Sequence, residues 1–151
     1  MLRARLNESL KAALKAKEDR AVSTLRLILA ALKDRDIAGR TQGMPDGIPD
    51  ADILQMLGSM IKQRRESISM YEQGGRLELA EREREEIAII ETYLPKQMSE
   101  AEVTAAVGAV ITELDAKGLK DMGRVMAALR ETYAGQMDFA KASLLVKQQL
   151  S

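Results

Sequence analysis

The chain has 151 residues, 23 basic against 23 acidic, with no histidine and no cysteine. That length supports one domain or two small ones, and a chain of this size buries roughly 70% of its unfolded surface on folding. Disulfides, thiolate nucleophiles, zinc–thiolate sites and Ser-His-Asp or Cys-His catalysis are excluded by composition, and one Phe with no Trp leaves no aromatic platforms for single-stranded nucleic acid.

Leu2, Leu6, Leu10 and Leu14 recur every four residues and predict a first helix over 2–17. Asp19 is placed as the cap of a second helix with a face of Val22, Leu25, Ile28, Leu29 and Leu32, ending near Gly39. The short junction makes these two helices neighbours, as short connections do in helical bundles. Residues 40–49, RTQGMPDGIP, hold two prolines and two glycines and predict a mobile loop. The amino terminus MLRARLNESL has no apolar core of leader length, and no stretch of 18 apolar residues occurs anywhere. The expectation is a cytoplasmic protein with no membrane partner.

Asp50 is placed as the cap of the third helix, with Asp52 in its first turn. Ile53, Leu57, Met60, Ile61, Ile68 and Tyr71 fall on one face, and Arg64 lands in the middle of it. After the turn Gln73-Gly74-Gly75-Arg76, a fourth helix carries Leu79, Ala80, Ile87, Ile90 and Leu94 inward, with Glu83 inside that face and Glu86 at its edge. An antiparallel hairpin brings Arg64 level with both carboxylates, which predicts a structural ion pair of Arg64 with Glu83 or Glu86. The simpler alternative leaves only the arginine stem buried and its head in water. Glu83 and Glu86 also have the spacing of metal-binding or acid–base carboxylates, but the di-metal pattern needs Glu-x-x-His partners that this chain lacks. No metal site is expected.

Leu94-Pro95 stops the fourth helix, because a residue before proline avoids helical dihedrals. Ser99 and Glu102 restart the chain at capping-box spacing. Pro95–Ser99 is therefore the predicted boundary between an N-terminal multihelical unit (1–95) and a C-terminal three-helix unit (99–151). The fifth helix, with Val103, Val107, Val110, Ile111 and Leu114 inward, is expected to stop at Gly118. Asp121 is placed as the cap of a sixth helix carrying Met122, Val125, Met126, Leu129 and Tyr133. Asp138 caps a seventh with Phe139, Ala142, Val146 and Leu150. No period-two alternation occurs, and the predicted class is all-α.

Gly123 sits in the first turn of the sixth helix, where glycine is less stable than alanine. Either the seventh helix packs closely against it, the default, or a ligand such as an RNA phosphate approaches the free amides there. Lys120 and Arg124 border it, so Lys120, Gly123 and Arg124 form the candidate nucleic-acid contact. There is no GxxxxGK[ST] or GxGxxG loop, no nucleophile–base pair and hence no catalytic residue or cofactor to nominate. Charge is segregated: residues 1–40 carry +5 and residues 78–91 carry −4. Either these stretches lie against each other or the basic one meets phosphate.

Lys62-Gln63-Arg64-Arg65-Glu66-Ser67, Gln73-Gly74-Gly75-Arg76, Glu83-x-x-Glu86-Ile87, Tyr93-Leu94-Pro95 and Lys120-Asp121-Met122-Gly123-Arg124-Val125-Met126 stand in the order and spacing of the GatB/YqeY family. Over essentially its whole length the chain resembles the free-standing YqeY-like proteins of that family. The resemblance implies two helical parts, a larger N-terminal one and a three-helix C-terminal one. It also implies kinship with the tail of the B subunit of the glutamine-dependent tRNA amidotransferase, which helps hold tRNA. That machinery is a carbon–nitrogen ligase with glutamine as amido donor, but its kinase, transamidation and amidase modules have no counterpart here. The function expected is a non-catalytic module that binds tRNA or a tRNA-processing enzyme. An amidotransferase-like enzyme and a protein-interaction module without RNA are the competing readings. Residues 98–151 carry a net −1, so tRNA affinity of that part alone should be weak and salt-sensitive.

Overall fold

A computed structural model describes all 151 residues, folded into seven α-helices without a strand. They are α1 (Leu2–Ala16), α2 (Asp19–Arg40), α3 (Asp50–Gln73), α4 (Leu77–Glu91), α5 (Glu100–Glu113), α6 (Met122–Thr132) and α7 (Phe139–Leu150), with a short 3-10 turn at Leu119–Asp121. No helix is long and apolar enough to cross a membrane. By its packing the chain divides into two compact units, Met1–Leu94 and Pro95–Ser151.

In the first unit the inward faces of α1 to α4 meet around Leu6, Leu25, Ile28, Ile53, Leu57 and Ile90, all sealed from water. Each such side chain contributes roughly 1.5–3 kcal/mol of transfer free energy. Leu14 does not join them and stays 46% exposed, while Ala13 turns inward. A four-residue repeat overshoots the 3.6-residue turn by about 40° a step, so a face set by Leu2 has drifted about 120° by Leu14. Met56, one residue before Leu57 and outside the expected face, is buried as well.

The hairpin between α3 and α4 closes through a Schellman motif. The Arg76 amide donates to the Tyr71 carbonyl at 2.8 Å and the Gly75 amide to the Glu72 carbonyl at 3.1 Å. Gly75 takes φ +73°, the left-handed position this motif requires and glycine occupies without strain. The same motif ends α5 five residues before the expected stop at Gly118. Asp115 adopts φ 51°, and the Ala116 amide donates to the Ile111 carbonyl at 3.0 Å. Aspartate tolerates this conformation better than most side chains, so the helix stops at Glu113 and Gly118 lies beyond it.

Two of the expected caps are displaced by one residue. The residues preceding α2 and α3 are Glu18 and Pro49, neither with a side-chain cap bond. Asp19 and Asp50 stand in the first turn, where a negative charge still favours the helix dipole. Asp50 Oδ2 accepts from the Leu2 amide at 3.3 Å instead. Ser99 does form the capping box: it accepts from the Glu102 amide at 3.1 Å, and Glu102 Oε1 accepts from the Ser99 amide at 3.2 Å. Asp138 Oδ1 accepts from the Ala140 amide at 2.9 Å.

Residues 41–49, expected to be a mobile loop, are anchored. Ile48 is buried in the core and its amide donates to Asp36 Oδ1 at 2.9 Å. Arg3 grips Asp36 with both guanidinium ends, and its Nη2 also donates to the Ile48 carbonyl at 3.2 Å. Gly47 passes this cluster at φ +105°, where a Cβ would lie 2.6 Å from Arg3 Nη2. In the second unit Val107, Val125, Leu129, Ala142 and Val146 form the sealed core joining α5, α6 and α7. Its leading strand of backbone is pinned where the Met98 amide donates to the Gln136 carbonyl at 2.9 Å.

Candidate functional site

The α3–α4 hairpin places Arg64 opposite Glu83 and Glu86. Arg64 Nε donates to Glu86 Oε2 at 2.9 Å and Nη1 to the Met60 carbonyl at 3.2 Å. Glu83 stands farther off, its Oε2 3.9 Å from Nε, beyond hydrogen-bond reach. Side-chain exposure is 13% for Arg64, 11% for Glu86 and 20% for Glu83. Burial and the neighbouring Glu86 charge push the Glu83 carboxyl up, while Arg64 pulls against them. The arrangement is a guanidinium satisfied mainly by one carboxylate, with a second held nearby without a hydrogen bond of its own. The first two turns out from it are likewise committed to internal pairs: Arg65 to Glu91 at 3.2 Å, and Arg84 to Glu72 at 3.1 Å.

At the start of α6 the geometry differs from the default expectation. A Cβ built on Gly123 would meet nothing within 4 Å, so close packing against the seventh helix does not account for this glycine. Gly123, Lys120 and Arg124 are all exposed. The carboxylate of Asp121 occupies the ground between them without capping its own helix: Oδ2 accepts from the Lys117 amide at 3.0 Å and Oδ1 from Arg124 Nη2 at 3.1 Å. The Lys117 amide, followed by Arg124, holds the Asp121 carboxyl below its usual range against the effect of burial. Lys120 is the less committed of the two cations; an anion arriving here would compete with Asp121 for Arg124.

The segregated charges partly answer one another within the first unit. Arg20 Nε lies 3.0 Å from Glu85 Oε2, joining α2 to α4. Arg5 donates to the Thr92 carbonyl at 2.8 Å and stacks over the Tyr93 ring at 4.9 Å. The Arg3–Asp36–Ile48 cluster has no signature in the sequence beyond the alternating charges of Lys33-Asp34-Arg35-Asp36. A shallow cleft of about 260 Å³ opens beside it, lined by Arg35, Gln42, Asp52 and Gln55 over Gly39 and Ile48.

Comparison with known proteins places this architecture. A family model for YqeY-like proteins matches residues 3–150. Altered inheritance of mitochondria protein 41, mitochondrial, from Lachancea thermotolerans is 34% identical over 113 residues, 74% of this chain and 58% of that protein. The proteins of the same name from Eremothecium gossypii and Kluyveromyces lactis are 35% and 31% identical over 114 residues each, 74% of this chain and 60% and 59% of theirs. The chain thus spans about three-fifths of the length of these relatives. All three are mitochondrial by name, which overturns the cytoplasmic expectation; a terminus without a leader-like stretch does not assign a compartment. With a family model matching nearly every residue and relatives above 30% identity, the chain belongs to the YqeY-like family.

Proposed function

We propose that this chain is a non-catalytic helical module that binds tRNA or an enzyme acting on tRNA. The observation that carries the non-catalytic part is the Arg64–Glu86 pair. The hairpin's best-placed carboxylate is engaged by a largely buried guanidinium at 2.9 Å, a structural pairing that accounts for its position. Composition removes histidine and cysteine as general base or nucleophile. The RNA part is supported by kinship to the tRNA-holding tail of the amidotransferase B subunit, which the family resemblance implies. It is supported too by the open glycine at the start of α6 between two exposed cations.

The test is titration of labelled tRNA with the pure protein at low salt. Binding that weakens steeply with added salt, together with no heat on titrating ATP or glutamine, supports the module. Ammonia release from glutamine that persists through orthogonal purification steps would instead favour the carbon–nitrogen ligase reading. Absence of RNA binding, with a protein alone recovered from native lysate, would favour a protein-interaction module.

A further inference from the structure

We infer that the outer face of α2 is a phosphate-tracking surface for duplex RNA, carried by Arg26, Lys33 and Arg40. This inference rests on the RNA reading above and gives it a second, separate contact surface in the first unit.

The three cations are spaced seven residues apart on one 22-residue helix. Seven residues fall only about 20° short of two full turns, so they form a nearly straight row. At 1.5 Å per residue the row is about 21 Å long, with a charge every 10 Å or so. All three side chains belong to exposed residues. Arg26 and Lys33 make no ion pair within the protein, and Arg40 adds only a distant attraction on Asp36. This sets them apart from Arg3, tied to Asp36, Arg20, tied to Glu85, and Arg5, tied to Thr92 and Tyr93; Arg35 lies about 160° round the helix from Lys33, away from the row. Leu25, Ile28 and Leu32, about 80–140° round the helix from Lys33, are buried. The helix is therefore held rigidly while its basic row faces outward. Asp19 stands at the far end of this face and Asp34 is about 100° round the helix from Lys33. Asp36 is nearer, about 40° from Arg40, but its carboxylate is taken by Arg3.

The length and spacing choose the partner. A single phosphate or compact anion meets one of these cations and leaves two idle. Duplex DNA carries a negative charge per about 1.7 Å of axis, and A-form RNA is more compact along its axis, so a duplex offers a phosphate to each cation over the whole row. With one Phe and no Trp in the chain, base stacking is not the mode; contacts to backbone without sequence readout are. An anionic membrane fits less well. The apolar face of α2 is already consumed by the core, and the outward apolar groups Leu27 and Ile37, each 48% exposed, are separate rather than a continuous strip to insert.

The experiment measures anisotropy of a labelled RNA hairpin with the full-length protein across a salt series, beside the triple variant R26Q/K33Q/R40Q and the double variant K120E/R124E. The triple variant should bind at least tenfold more weakly at low salt. Its plot of log affinity against log salt should be flatter by about two to three units, near one per lost phosphate contact. Its helical circular-dichroism spectrum should be unchanged. If replacing Arg40 disturbs Asp36 and lowers stability, R26Q/K33Q alone should still weaken binding and flatten the slope by about two. Wild-type RNA binding that the α2 variants leave intact, and K120E/R124E abolishes, overturns the α2 surface while the RNA reading stands. Loss in the α2 variants with K120E/R124E unchanged supports α2 and removes the α6 site. No hairpin binding by the wild type overturns both. Tighter binding to phosphatidylserine vesicles or polyglutamate than to the hairpin, lost in the triple variant, overturns the choice of RNA.

Discussion

Arg64 and Glu86 meet inside the α3–α4 hairpin with Nε 2.9 Å from the carboxylate, both side chains largely closed off from water. Taking both charges out of water costs about as much as their attraction returns, so the pair adds little net stability; what is costly is to leave one alone. Replacing Arg64 by Met leaves Glu86 and Glu83 facing each other without a cation and should cost about 3–5 kcal/mol in urea unfolding. Adding Glu86→Gln to Arg64→Met should recover part of that loss, a coupling readable in a double-mutant cycle. An Arg64→Met protein that unfolds with the midpoint of a matched surface variant would remove the pair from the account of the hairpin.

Two carboxylates of the first unit should give stability opposite dependence on pH. Burial and then the Glu86 charge raise the Glu83 carboxyl. The folded state therefore holds that proton more tightly than the unfolded chain, and the stability it contributes at low pH is lost as pH rises through the raised value. Asp36 is depressed, first by the Arg3 hydrogen bond and then by the Ile48 amide, against burial. Its contribution is present above the ordinary aspartate range and disappears as pH falls through the depressed value. Glu83→Gln should therefore stabilise the protein at neutral pH and do nothing in acid, whereas Asp36→Asn should destabilise at neutral pH and progressively less in acid. Urea unfolding of both variants at several pH values reads this directly; a common sign for the two would contradict the assignment.

Features carried by local chemistry were the ones legible in the sequence. Gly74-Gly75 marks the hairpin, Ser99 and Glu102 mark a helix start, and the absence of alternation gives the helical class. An arginine on an apolar face signals that a carboxylate is needed, but nothing local chooses between Glu83 and Glu86, which sit three residues apart on one helix. Leu14 lies outside the core because a four-residue repeat drifts off a 3.6-residue face. The anchored loop was illegible for a different reason: Arg3, Asp36 and Ile48 are separated by 33 and 12 residues, and composition rich in glycine and proline reads the same whether such a loop is free or tied down. Gly123 was legible as an anomaly and not as an explanation, since only the fold could exclude a packed neighbour.

Thr24 is fully buried on α2, and its hydroxyl has no hydrogen-bond partner. A buried polar atom in this condition costs about 1–3 kcal/mol. Valine keeps the shape and removes the hydroxyl, so Thr24→Val should raise stability by about 1 kcal/mol, or the melting temperature by roughly 2–4 °C for a chain of this size. A lowered melting temperature would mean that the hydroxyl is satisfied in solution.

The division at Leu94–Pro95 should make the second unit separable. Its core is internal, and Ser99, Met98 and Gln97 bond to Glu102, Gln136 and Gly135 of the same unit. Limited proteolysis should cut near Leu94–Lys96 before it cuts in 41–49, where Asp36 and Arg3 hold the backbone. A fragment of residues 95–151 should then unfold cooperatively on its own. First cleavage in 41–49, or a fragment without a melting transition, would show the two units to be mutually dependent.

Gly123 separates stability from binding most sharply. Its backbone is helical and a methyl group there would enter open space. Gly123→Ala should therefore stabilise the isolated protein, by up to about 1 kcal/mol, through the helix preference of alanine alone. A site that glycine keeps open for a phosphate or a partner's backbone should at the same time bind more weakly when the methyl is added. The decisive pair of measurements is thermal unfolding and labelled-tRNA titration on the same sample. Higher stability with weaker binding supports an approach to the helix start between Lys120 and Arg124. Higher stability with unchanged binding would show that nothing approaches this glycine, and would leave Lys120 and Arg124 as solvated side chains.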